Sequence, residues 1–374
     1  MREGAEQRTF APVEVAPADD ARVRRLLASL PPATRFSAPS AKRRTLGEFA
    51  NASVGSIANV WVAQFAIGSS DVAYVALPAT LLARTAHGNI WADAALLSGR
   101  HASAAFAGES LAVTAARIGA DFENAYASDT KHFASVDYSP SAPGLQTAYR
   151  ACDSNGAAIG TTAQYVTEPS DGRVNVMVVD NADLGSGVGG YFSGVNYVPQ
   201  SAWNCLSSSI PRSNEAPFIY IGWNDGNGAQ YELQEDLVRA TAHELQHLVN
   251  FVQHSISSGA PSDEEPFLNE GLSMLAQDFA VNRMFGIGFD ADDALRRSAV
   301  FLDAPSNFAL SDFSGIDPLA QGGDGVTARS NCVGCYGAAY LFQRYLYDRF
   351  GSDRYTHQME SGGETGSAGL RAAT

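Results

Sequence analysis

His243-Glu244-Leu245-Gln246-His247 is an HExxH stretch. Two histidines four residues apart stand on one face of a helix, about 6 Å apart along its axis. Both imidazoles can reach one metal ion. Glu244 is rotated off their face, where its carboxylate reaches a metal-bound water instead of the metal. Two ligands and a general base on one helix is the arrangement for metal-assisted hydrolysis, with Zn2+ the expected ion.

A catalytic zinc site takes three protein ligands and keeps a position for water. Positions 250 and 253 are Asn250 and Gln253, so no third histidine follows at the HExxHxxGxxH spacing. Downstream, Leu268, Leu272, Leu275 and Phe279 recur at helical spacing, and Pro266 suits a first turn. Glu270 is the acid inside that apolar stripe. A carboxylate among leucines is costly unless paired or metal-bound, which makes Glu270 the expected third ligand. A Ser-, Gly- and Pro-rich loop over 255–262 is expected to let this second helix fold back antiparallel.

The elements that must position these residues are legible from pattern. Leu237, Val238, Leu245, Leu248, Val249 and Val252 give the HExxH segment a buried helical face. The spacing predicts strands over 58–65, 72–77, 88–91, 174–179 and 218–223. It predicts further helices over 109–126, 292–302 and 336–350. Gly189–Gly194 reads equally as a Gly-rich turn or as an edge that pairs with an extended peptide. The expected class is α+β, a mixed sheet followed by a helical lobe with the HExxH helix between them, which the resemblance given below makes a zincin-like fold. Residues 1–44 read as a linker or pro-segment remnant, 45–106 as a β-rich region and 107–374 as the metal-binding domain.

HELQHLVNF from His243, FLNEGLSMLAQDFA from Phe267 and YGAAYLFQRYLYDRFG from Tyr336 resemble the hyicolysin-type zinc metallopeptidases of the gluzincin group. The likeness is specific over about residues 230–350 and weaker upstream to about 170. By motif position it implies His243, His247 and Glu270 as zinc ligands and Glu244 as the catalytic acid/base. It implies a zinc endopeptidase acting on proteins or peptides. Asn269-Glu270 also resembles the Asn-Glu pair of thermolysin-like enzymes. Those enzymes carry an Asp four residues after the Glu; here that position is Met274. The partner that orients a ligand histidine is then open, with Asp278 a candidate.

The chain has 374 residues, 40 acids against 25 bases, and a formal net charge of −15. That balance argues against a nucleic-acid partner, which needs Lys and Arg patches. No run of 18 apolar residues predicts a membrane span. Only 17% of residues are charged, a composition common in exported proteins, and an extracellular location is expected. The start lacks an apolar signal region, and a Gly-rich segment from Ser361 stops abruptly at Thr374. A fragment missing its export signal is the expectation. Cys152, Cys205, Cys332 and Cys335 form an even set, expected to pair as Cys152–Cys205 and Cys332–Cys335.

Other residues invite weaker readings. Tyr336 and Tyr340 could steady an oxyanion, although packing is the commoner use of such tyrosines. His254 lies too far along the helix to share the ion. Asp225–Gly228 reads as a turn and Asp290–Asp293 as a helix start, not as calcium loops. Two further functions stay open beside the endopeptidase: a catalytically silent zincin-fold binding protein, and a zinc hydrolase of a non-peptide substrate.

Overall fold

The computed structural model describes residues 47–65, 72–97, 111–139, 141–164, 172–184, 188–206, 210–223, 233–259, 264–286, 293–311, 314–315 and 332–374. Residues 1–44, the Asp225–Gly228 turn and Asp290–Asp292 lie outside them.

Strands β1 (Ile57–Phe65), β2 (Val72–Arg84) and β3 (Gly88–Asp93) form an antiparallel meander. After helix α1 (Leu111–His132) comes a separate hairpin of β4 (Ala148–Cys152) and β5 (Ala158–Gln164). The chain returns to the main sheet with β6 (Val174–Asp180), parallel to β3. Next come β7 (Gly190–Phe192) and β8 (Phe218–Trp223), the latter parallel to β6. β7 pairs antiparallel with β8 and forms one edge of a six-stranded sheet ordered β1-β2-β3-β6-β8-β7. β6 is buried at every position, as a central strand covered on both faces must be.

Strand alternation divides the core in two. Ile90, Ala92, Val176, Val178, Ile219 and Ile221 face the helices. Trp91, Met177, Val179, Phe218 and Tyr220 face the opposite way, toward Val60, Val62 and Leu81. The helical side is built from α1, α2 (Leu233–Phe251), α3 (Pro266–Phe285), α4 (Ala294–Asp303), α5 (Val333–Arg349), α6 (Asp353–Ser361) and α7 (Gly366–Ala373). α2 lies between the layers: it packs on β7 and β8 on one side and on α1 and α3 on the other. The class is α+β, with a mixed sheet and a helical lobe.

Most expected elements are present with shifted ends. The predicted helix over 109–126 runs on to His132, and β8 matches its predicted span. The expected loop from Ser255 begins later. α2 passes into a π-helical segment, Val252–Ser258, and stops at Gly259 with φ 69°, a left-handed end that glycine adopts without a Cβ penalty. Glu264 and Glu265 precede α3 but reach elsewhere. Gly366 N donates to Glu264 Oε2 at 3.0 Å and Ser367 N to Glu265 Oε1 at 3.2 Å. These acids therefore satisfy the start of α7, where the helix dipole favours negative charge.

Both expected disulfides are present, Cys152–Cys205 with Cα atoms 5.2 Å apart and Cys332–Cys335 with Cα atoms 5.1 Å apart. Among the described residues, no helix is long and apolar enough to cross a membrane.

α4 and α5 meet closely at Gly337, where a Cβ would run into the Arg297 carbonyl and Ser298 N. At an exposed helix position, Gly→Ala stabilises by up to about 1 kcal/mol. Gly337→Ala is expected to do the reverse and cost about 1–3 kcal/mol by overpacking, measured as a lower urea midpoint at unchanged slope.

Candidate metal centre

The face that α2 turns to α3 carries His243, Gln246 and His247. The answering face of α3 carries Asn269, Glu270, Ser273 and Gln277. At about 100° per residue, positions 270, 273 and 277 fall within one narrow stripe. The helices run antiparallel, so His243 meets the later part of the stripe and His247 the earlier part.

His243, His247 and Glu270 come together, with their ligand atoms all within 4.8 Å of one another. Glu270 Oε2 is 3.2 Å from His243 Nε2 and 3.7 Å from His247 Nε2. With Glu244, these side chains are at most 3% exposed. The three residues expected from the sequence as ligands thus lie at one spot.

The histidine protons show what this spot is suited to hold. His243 Nδ1 lies 2.8 Å from Gln277 Oε1, and His247 Nδ1 lies 3.1 Å from Asn269 Oδ1. An amide oxygen only accepts, so in the tautomer that satisfies both amides each ring donates from Nδ1. Both Nε2 atoms then turn lone pairs toward the Glu270 carboxylate. Burial lowers the pKa of each histidine to about 4, against smaller opposing effects of the Gln277 hydrogen bond at His243 and of Glu270 at His247. Both rings are neutral at physiological pH. Three lone-pair donors facing inward in a dry interior repel one another unless a cation lies among them. Two imidazole nitrogens and one carboxylate oxygen suit zinc.

The Glu244 carboxylate lies against β7: a Cβ on Gly190 would stand 2.9 Å from Glu244 Oε1. Glycine at that position lets the edge strand approach the acid directly. The segment around 190 is therefore an edge strand and not simply a turn.

Asp278, the expected orienting partner, is engaged by α5 instead. It accepts from Tyr340 OH at 3.0 Å and Arg344 Nη1 at 3.1 Å. That role at His243 belongs to Gln277. Tyr340 is thereby a packing residue with its hydroxyl bound to Asp278, and Tyr336 is buried beneath the Arg297 guanidinium, 4.8 Å from ring centroid to Cζ. Asp293 stands at the head of α4 and accepts from Arg297 Nε at 2.7 Å and Arg296 Nη2 at 3.2 Å. Burial works to raise its pKa, but the Arg297 charge and hydrogen bond outweigh this and hold it at about 2.

Behind His247 lies a second polar region that the sequence did not announce. Ser273 Oγ, 3.2 Å from His247 Nδ1, donates to Gln246 Oε1 at 2.5 Å. Gln246 Nε2 donates in turn to Glu360 Oε1 at 2.7 Å. Glu360 shares its surroundings with Asp129, Glu264 and Tyr355. His254 donates from Nε2 to Met359 O at 2.9 Å and lies 3.8 Å from Glu264 Oε1. It takes no part in the metal group. Burial, and then the neighbouring acid, push the pKa of Asp129 and of Glu360 well above the ordinary carboxylate range.

No protein-family model matches the chain, and no curated protein matches it. Among solved structures, a native yeast LTA4 hydrolase is similar with a TM-score of 0.37 and 10% identity. The match covers 85% of this chain and 41% of that one, so the chain spans well under half of its length. A likeness at this level assigns no residue its role.

Raised acids make stability depend on pH. Glu360 stays protonated in the folded chain at pH values where the unfolded chain has released its proton. Its stabilisation is complete below the unfolded pKa of 4.5 and is lost as pH rises through the folded value. Glu360→Gln keeps the acceptor for Gln246 and removes the titration. The variant is expected to melt with the parent near pH 4 and above it near pH 8, in thermal scans at both values. Equal gaps at both would contradict this assignment.

Proposed function

We propose that the chain is a zinc-dependent endopeptidase of the hyicolysin type, with His243, His247 and Glu270 as ligands and Glu244 as general base. The convergence of three buried lone-pair donors, each imidazole held with Nε2 inward, carries this reading. A zinc ion bound there would supply a Lewis acid that acidifies a coordinated water.

The chain's own residues do the rest. Gln277 and Asn269 hold the imidazoles in one tautomer. Glu244 takes a proton from the attacking water and passes it to the leaving amine. β7 is an edge of the sheet and passes over Glu244, so an extended peptide can add to it by main-chain hydrogen bonds. Glu244 and the proposed ligands are buried beneath the surface. An extracellular location suits the two disulfides, which persist in oxidising compartments.

That burial also favours a second reading, a zincin-fold protein that holds its metal without turnover. Casein cleavage by zinc-loaded protein separates the two. The endopeptidase cuts casein, and Glu244→Gln lowers the rate by about 10²–10⁴-fold while one zinc per chain remains bound. Zinc binding with no cleavage of casein by the parent would leave the silent protein or the non-peptide hydrolase. Near-parental cleavage by Glu244→Gln would remove Glu244 from the mechanism.

A further inference from the structure

A primary amide beside a buried imidazole can face it with oxygen or with nitrogen. If Gln277 presented its NH2, His243 Nδ1 would have to accept, and the ring proton would move to Nε2. The Nε2–H would then point at Glu270 and exclude a metal. Something must decide which way the amide faces.

Asp293 stands where that decision is made. Gln277 Nε2 donates to Asp293 Oδ2 at 3.3 Å, while Gln277 Oε1 receives His243 Nδ1 at 2.8 Å. An ionised carboxylate only accepts, so it fixes the NH2 end of the amide. Asp293 Oδ1 accepts from Arg297 Nε at 2.7 Å and Arg296 Nη2 at 3.2 Å, while Oδ2 accepts from Gln277. Arg297 is buried and stacked on Tyr336, and the close approach at Gly337 holds its backbone against α5.

We propose that Asp293 and Arg297 are positioning residues for the metal group, fixing the Gln277 amide so that His243 offers Nε2 to the ion. The proposal rests on the metal-binding reading above. It gives α4, which contributes no ligand, a defined part in the site. The Met274 position left without an acid is answered three residues on by an amide, and the charge that orients it comes from a different helix.

The test uses zinc affinity, measured by competition with a chromogenic chelator, and the visible spectrum of cobalt-loaded protein. Loss of an outer partner of a ligand histidine typically weakens metal binding 10–100-fold. Asp293→Asn is expected to show a loss of that size and an altered cobalt spectrum. The double variant Gln277→Glu with Asp293→Asn is expected to recover parental affinity, because a carboxylate at position 277 accepts from Nδ1 whichever way it turns and the local charge is conserved. A purely structural role for Asp293 would give no such recovery. Should Asp293→Asn fail to fold, Gln277→Met keeps similar volume and no buried charge, and the same loss is expected.

Parental affinity and an unchanged spectrum in Asp293→Asn or in Gln277→Met would overturn the relay while leaving the metal site standing. A parent protein that binds neither zinc nor cobalt would overturn the metal reading, and the relay with it.

Discussion

The meeting of His243 Nε2, His247 Nε2 and Glu270 Oε2 between α2 and α3 is the contact on which the polar interior of the helical side is built. A buried donor set of this kind is costly without a compensating charge. The packing of α2 against α3 sets those atoms within 4.8 Å of one another, and no rotation of either helix alone would keep all three together. The surrounding polar residues make sense as the means of holding that arrangement.

Each imidazole is backed by its own chain of hydrogen bonds. Behind His243 the chain runs through Gln277 and Asp293 to Arg297. Behind His247 stands the Asn269 amide oxygen, and beside the ring Ser273 links through Gln246 to Glu360. Both chains pass through a side-chain amide and end at a buried ionisable group, one an ion pair and the other a carboxyl in an acidic neighbourhood. A ring tethered at Nδ1 cannot rotate freely about χ2. The cost of ordering it is met on folding. Helices from far downstream, α4 and α6, are thereby built into the centre.

The candidate ligand set and its helices were legible in the sequence because they depend on local periodicity. HExxH places two histidines by helical geometry alone, and Glu270 stood out as an acid within an apolar stripe. β6 and β8 were legible for the same reason, as short runs rich in β-branched and aromatic residues. The partner of His243 was not. Asp278 was the natural candidate by chemistry, but one residue turns a helix by about 100°. Position 277 shares the direction of Glu270, while 278 points to α5 and meets Tyr340 and Arg344. Only the tertiary meeting of α3 and α4 shows Gln277 to be anchored. The final helix was hidden likewise: its start is satisfied by Glu264 and Glu265, about a hundred residues earlier, and no local signal records that. The segment after Ser361 therefore read only as Gly-rich, with no helix expected.

X-ray absorption at the zinc edge, on protein purified with its metal, tests the central claim most directly. The expected spectrum contains two imidazoles at about 2.0–2.1 Å with oxygen completing the shell. The four cysteines are paired with one another, so no sulfur should appear. A sulfur shell at about 2.3 Å, or a zinc shell without the outer scattering of imidazole, would contradict the assignment of His243, His247 and Glu270 as the metal centre.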